Sequence, residues 1–172
     1  MGAVEIVPIR QEHIESFHQT LDFVARERLY LSFLEAPPLE STRAFILDNI
    51  RNGYPQLVAV TSGGEVVGWC DVTGRPGPLY AHAGVLGMGL LPAFRRQGIG
   101  KQLIQRALAA AQDFGFRRVE LAVRANNLNA IELYKRVGFR VEGVQRDAIQ
   151  LDGSYENLIL MGLLFDNVFV AK

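Results

Sequence analysis

Arg95-Arg96-Gln97-Gly98-Ile99-Gly100-Lys101 is the stretch whose reading decides the fold. It follows an apolar run, Ala83 to Leu91, that reads as a strand. It opens a helical pattern in which Leu103, Ile104, Ala107, Leu108 and Ala111 share one face. A strand that breaks into a glycine turn and then a helix presents unpaired backbone N–H groups at the positive end of a helix dipole. Such a place binds phosphate. Gly98 and Gly100 lack Cβ, so a pyrophosphate can lie against the main chain. Arg95, Arg96 and Lys101 bring positive charge beside it.

Two familiar phosphate loops fail on spacing. A Walker loop needs Gly-Lys followed by Ser or Thr, with a glycine five positions ahead. Here Gln102 follows Gly100-Lys101, and Arg95 stands where that glycine belongs. A dinucleotide fingerprint needs a third glycine after Gly87-Met88-Gly89, and Leu90, Leu91 and Pro92 follow instead. A third pattern, Arg/Gln-x-x-Gly-x-Gly/Ala, is matched by Arg95, Gly98 and Gly100.

A second segment accompanies it. Val119 to Val123 reads as a short strand, followed by Asn126-Asn127-Leu128-Asn129-Ala130 and Ile131-Glu132-Leu133-Tyr134-Lys135-Arg136-Val137-Gly138-Phe139. Asn127 or Asn129 can cap a helix there, Ile131, Tyr134 and Val137 share a face, and Gly138 can close it in the left-handed conformation. Together the two segments resemble the GCN5-related N-acetyltransferase family, over Gln56 to about Phe165. The N-terminal third resembles it only in layout.

The resemblance implies a mixed α/β fold: a mostly antiparallel sheet of about seven strands, helices on both faces, and a splayed parallel pair in the middle. The element order read from the sequence agrees. It has a first strand at Val4 to Pro8, a helix from Gln11 to Arg28 and a second from a Ser41 cap to Asn52. A hairpin turns at Gly63-Gly64. A strand from about Ala81, a helix to Phe114 stopped by Gly115, a strand and a short helix follow, then a last hairpin across Asp152-Gly153. One domain is expected over residues 1–172.

The implied activity is acetyl transfer from acetyl-CoA to a primary amine, such as a protein N-terminus, a polyamine or another small amine. The implied cofactor contacts are the main chain of Gly89, Leu90 and Leu91 and the cradle of Arg95, Arg96, Gln97, Gly98, Ile99, Gly100 and Lys101. Asn127, Asn129 and Tyr134 complete them, with Tyr134 as the general acid for the departing thiolate. No metal is implied. Many relatives carry a glutamate on the strand before the cradle. Val85-Leu86-Gly87-Met88-Gly89 has none. A water chain, Asp71 or Glu120 remain open as general base, with His82 less well placed. A non-catalytic acyl-CoA binding or sensing module is the alternative this gap suggests. Glu27 and Tyr30, where the first helix gives way to a loop, are candidate substrate contacts. A plain ion pair of Glu27 with Arg26 or Arg28 competes with that reading.

Lys plus Arg and Asp plus Glu number 18 each, which excludes the basic field of a general nucleic-acid binder. The single cysteine, Cys70, lies in an apolar run and reads as a small buried residue. No apolar stretch has the length of a membrane span and no signal peptide precedes the fold, so a cytoplasmic location is expected. The apolar run Asn157 to Val170, with Leu164, Val168 and Phe169, suggests a homodimer contact near the last strand.

Overall fold

The computed structural model describes residues 3–165. One seven-stranded sheet organises them: β1 (Val4–Pro8), β2 (Gln56–Thr61), β3 (Val66–Gly74), β4 (Ala83–Leu90), β5 (Arg118–Arg124), β6 (Arg140–Leu151) and β7 (Ser154–Leu164). The spatial order is β1-β2-β3-β4-β5-β7-β6. Every neighbouring pair is antiparallel except β4 and β5. The strand, helix, strand run from Ala83 to Arg124 is therefore the parallel crossover read from the sequence.

The helices are α1 (Ile14–Arg26), α2 (Leu39–Asn52), α3 (Ile99–Phe114) and α4 (Leu128–Arg136). The apolar stripe of α3, Leu103, Ile104, Ala107, Leu108 and Ala111, is buried against Cys70, Val72, Leu86 and Val119 of the sheet. A second cluster packs Ile14, Phe17 and Val24 of α1 and Ile46 of α2 against Val58, Val66 and Trp69. Gly115 ends α3 at φ +106° and Gly138 follows α4 at φ +108°, both left-handed as their positions require. Asp152 and Gly153, at φ +50° and +79°, make the final hairpin turn.

Four boundaries differ from the sequence reading. Gln11–His13 form a 3₁₀ turn ahead of α1, in which the Arg10 N–H is drawn to His13 Nδ1 at 3.1 Å. The first helix stops at Arg26, and Arg28 sits at φ +59°, outside any right-handed helix. Ser41 does not cap α2. The Pro38 carbonyl accepts from the N–H groups of Ser41 and Thr42 at 2.9 and 3.1 Å, so the helix begins before Ser41. Residues 78–80 turn in a 3₁₀ conformation, which delays β4 to Ala83. Val168 and Phe169, part of the expected dimer contact, lie outside the described residues.

The site is created by one departure from regularity. β4 and β5 pair only over Ala83–Arg118, Gly84–Val119 and Val85–Glu120. β4 continues to Leu90 and β5 to Arg124 without pairing to each other. The sheet splays from Leu86 onward, and the gap leaves main-chain groups without a neighbouring strand.

Candidate active site

The alternation of an antiparallel ladder fixes which main-chain groups face the gap. Arg75 N–H donates to Ala83 O, and Leu91 N–H donates to Val67 O at 2.9 Å, so the odd positions of β4 face β3. The His82 carbonyl accepts from Arg118 N–H, so the even positions face β5. The N–H of Leu90 and both main-chain groups of Met88 therefore point into the splay. Gly89, expected to offer open main-chain groups, has them turned to β3, and Leu91 spends its N–H on Val67 and its carbonyl on Phe94 N–H. Met88 was missed, because sequence spacing does not reveal strand parity. The Leu90 carbonyl is not open either, since it accepts from Arg95 Nε at 2.8 Å.

Gly89 has a different task. The Trp69 ring crosses its face of the sheet and occupies the space a Cβ would take. Gly87, two residues earlier on the same face, leaves the Asp71 carboxylate in ordinary contact distance of an added Cβ, 3.4 Å. Asp71 and Gly87 are register partners. Gly89 thus clears its face of β4 for Trp69, and Gly87 keeps the same face small beside Asp71.

Beyond β4 the segment read as a cradle forms a turn that leads into α3. Gly98 stands at φ +81° with no atom within 4 Å of an added Cβ, so its approach is open. The first helical hydrogen bond runs from Gln102 N–H to the Gly98 carbonyl at 3.0 Å, and no side chain caps the end. The amides ahead of Gln102 are left for a ligand, as at any helix start. Arg96 and Lys101 are exposed beside them, with Arg96 at φ +60° and its guanidinium 3.5 Å from Asn129 Oδ1. Gln97 Nε2 donates to Ala93 O and braces the turn. Gly100 departs from its expected role. A Cβ there would face Met88 and Leu133 at 3.8 and 3.9 Å, toward the interior and in ordinary contact. Its smallness serves helix-on-sheet packing, which explains why alanine also satisfies the pattern.

Arg95 also departs. Its guanidinium is held by both oxygens of Glu27, with Nη1–Oε1 at 3.0 Å, and lies 4.8 Å from the centre of the Tyr30 ring. Its charge is matched before any phosphate arrives. The pair ties the end of α1 to the turn that starts the cradle. Glu27 pairs with neither Arg26 nor Arg28, because Arg26 reaches Asp22 and Glu35 while Arg28 reaches Asp152. A pairing 68 residues apart in sequence has no local signature.

A cavity of about 500 Å³ extends from the splay to the underside of α1 and α2. Leu86, Gly87 and Met88 border it from β4, and Leu121 to Arg124 from β5. Tyr134 and Asn127 close its α4 end, and Trp69 and Asp71 rise from β3. Tyr30 borders it, whereas Glu27 and the cradle residues do not. Asn127 rather than Asn129 caps α4. Its Oδ1 accepts from Ala130 N–H at 3.3 Å, which leaves its amide N–H₂ unused by the cap.

Two titratable groups meet this cavity with little solvent and no polar partner. Asp71 is 7% exposed, and its side chain makes no hydrogen bond or ion pair among the described residues. Burial pushes its pKa up to about 7. Tyr134 is 8% exposed, and burial, with the neighbouring Cys70 thiol, raises its phenol well above the ordinary value. It keeps its proton across the working pH range. Cys70 itself is fully buried with its thiol pKa raised, as suits a packing residue. Glu120 is spent otherwise: Arg75 and Arg118 hold its two oxygens at 3.1 and 3.0 Å. His82 is exposed at the closed end of the strand pair.

The residues present fit acetyl-CoA. The cradle amides and the exposed Arg96 and Lys101 suit a pyrophosphate, and the unpaired Met88 and Leu90 groups suit an extended amide-bearing arm. Among the described residues no cluster of His, Cys, Asp or Glu could hold a metal ion, and no helix is long and apolar enough to cross a membrane.

A splayed parallel pair flanked by a phosphate cradle defines the class of acyl-CoA-dependent transferases. Residues 19–139 match the acetyltransferase (GNAT) family, and the chain belongs to it and is an N-acetyltransferase. The L-methionine sulfoximine/L-methionine sulfone acetyltransferase of Pseudomonas aeruginosa is 29% identical over 130 residues, covering 74% of this chain and 75% of its own. The L-amino acid N-acetyltransferase AaaT of Escherichia coli is 26% identical, covering 91% of this chain and 96% of its own. Among solved structures, the acetyltransferase yncA of Salmonella typhimurium with its cofactor acetyl-CoA superimposes with a TM-score of 0.89 at 18% identity, covering 96% of this chain and 95% of that one. At that identity it speaks for the fold alone.

Proposed function

We propose that this chain transfers an acetyl group from acetyl-CoA to a primary amine by direct attack. The observation that carries the reading is that Asp71 and Tyr134, a buried carboxyl and a buried phenol, border one cavity that opens into the splay of β4 and β5. Bound acetyl-CoA supplies a thioester carbonyl to the amine nitrogen, with the coenzyme thiolate as leaving group. The cradle from Arg96 to Lys101 holds the pyrophosphate. Met88 and Asn127 orient the arm. The Leu90 N–H faces the place where negative charge develops on the carbonyl oxygen. The nitrogen becomes acidic as its bond to carbon forms, so a carboxylate titrating near 7 is a competent acceptor for its proton. Tyr134 donates the proton that the sulfur needs. One proton leaves nitrogen and one reaches sulfur, so the products are an acetamide and the free thiol.

The test is an amine panel read by thiol release and by the mass of the acetylated amine. Release of free coenzyme A with stoichiometric acetylation supports the reading. Tight acetyl-CoA binding, seen as a raised Tm, without turnover of any amine would favour the sensing module instead. The proposed cytoplasmic homodimer would use the β7 side, where Leu164 is 61% exposed, and light scattering checks it.

A further inference from the structure

We propose that the acceptor is a small primary amine on an apolar body that carries no carboxylate group. This deepens the acetyl-transfer reading and rests on it. The first argument is charge. Asp71 is the acid bordering the cavity that has no cation beside it. The cation bordering it, Arg124, is 3% exposed and already matched. Its Nε and Nη2 donate to the two oxygens of Glu156 at 2.7 and 2.6 Å, and its Nη1 donates to the Arg28 carbonyl at 2.7 Å. The other polar side chains described there, among them Tyr30, Ser32, Thr42, Asn127 and Tyr134, are neutral. A carboxylate entering this space loses its water and gains no cation. In an α-amino acid the penalty is sharper. Its carboxylate sits one carbon from the nitrogen brought to Asp71, which sets two negative groups side by side.

The second argument is the wall. Phe17, Leu21, Phe33, Phe45 and Trp69 line the chamber, and Leu121 adds an apolar side chain from the β5 side of the splay. An apolar body gains from that burial, whereas a polyamine would carry further charges into it.

The third argument is the roof. The chain from Tyr30 to Pro37 borders the cavity and is held down on either side. Arg28 Nη2 reaches Asp152 Oδ1 at 2.6 Å across the β6–β7 turn, and the Arg28 carbonyl is held by Arg124. Its far end is pinned by Ala36 N–H donating to Asp22 Oδ1 at 2.9 Å. A chamber of about 500 Å³ bordered by this segment suits a small molecule rather than an extended peptide.

The experiment compares kcat/KM, expressed per neutral amine, for phenethylamine, L-phenylalanine, L-phenylalaninamide, spermidine and a peptide beginning with Phe. Phenethylamine is expected to exceed phenylalanine by about 100-fold or more, the scale of an unpaired buried charge. Phenylalaninamide should recover most of that difference, since it keeps the body and removes the charge. Phe45→Arg places a cation at a site 42% exposed, where the fold should tolerate it, and is expected to narrow the gap between phenethylamine and phenylalanine. Phenylalanine equalling phenethylamine, or an unchanged gap in Phe45→Arg, would overturn the proposal. Preference for spermidine would overturn the apolar body, and preference for the peptide the small acceptor. No thiol release from any member, with acetyl-CoA still bound, would instead overturn the acetyl-transfer reading itself.

Discussion

The two ends of the β4–β5 pair are built from similar materials and used in opposite ways. At the closed end, three residue pairs hydrogen-bond in parallel, and Glu120 is clasped by Arg75 and Arg118, which in turn binds Glu142. At the splayed end, Met88 and Leu90 keep unpaired main-chain groups, and Asp71 has no cation. Both ends carry a carboxylate on the sheet. One is matched and serves cohesion. The other is buried, unmatched and titrates near 7. The contrast teaches that unsatisfied groups, rather than charged groups as such, mark where a ligand is expected.

The largest expected effect would come from closing the mouth of the splayed end. Gly98→Asp places a carboxylate on the open face of the cradle, at a φ that L residues rarely adopt. Calorimetry should detect no coenzyme A binding, while circular dichroism shows a folded chain. Unchanged affinity would mean that the pyrophosphate lies elsewhere.

Next in size are the two buried groups. Tyr134→Phe should lower kcat by ~10²- to 10⁴-fold, the usual worth of a general acid, with acetyl-CoA affinity falling by only about 1 kcal/mol. Wild-type turnover would make Tyr134 a packing residue. A parallel collapse of affinity and rate would make it a wall of the groove.

Asp71→Asn should lower kcat/KM by about 100-fold. It should also remove the rise of kcat/KM with pH centred near 7 that is expected of the wild type. The same group bears on stability. Its folded pKa is raised, so between the ordinary value near 4 and about 7 the unfolded chain is ionised while the folded one holds its proton. Wild-type stability should therefore fall as pH rises through that window, by a few kcal/mol in order of magnitude, and then level off. Urea midpoints at pH 4.5 and 8 should converge in Asp71→Asn relative to wild type. An identical pH dependence in both proteins would place the unmatched charge elsewhere.

The smallest effect belongs to the closed end. Glu120→Gln should leave kcat within about threefold of wild type and cost about 1 kcal/mol of stability, the scale of a partly exposed ion pair. A large loss of rate would erase the contrast and return Glu120 as a base.

Several features are legible in the sequence because their causes are local. The cradle was read from glycine spacing between a strand and a helix. Gly115 and Gly138 were read as terminators, and Asp152-Gly153 as a turn, because positive φ selects those residues. The splay came through the family resemblance. Asp71 was named with Glu120 as a possible base, yet nothing in the chain separated them. Both lie on strands, and only their neighbours differ. Arg95 was assigned to phosphate because its partner stands far away in sequence.

By itself the sequence determined the order of elements, the glycine turn that opens α3 and the kind of residues available for chemistry, since caps, turns and periodicity act over a few residues. Tertiary structure alone decided which groups are spent and which remain available. Register turned Met88 and Leu90, rather than Gly89 and Leu91, toward the gap. Long-range packing gave Arg95 to Glu27 and Arg124 to Glu156, and it left Asp71 facing Tyr134's cavity with no cation. The physical reason is that a charge's role depends on what lies within a few ångströms of it, and sheet pairing sets those neighbours between residues distant in the chain.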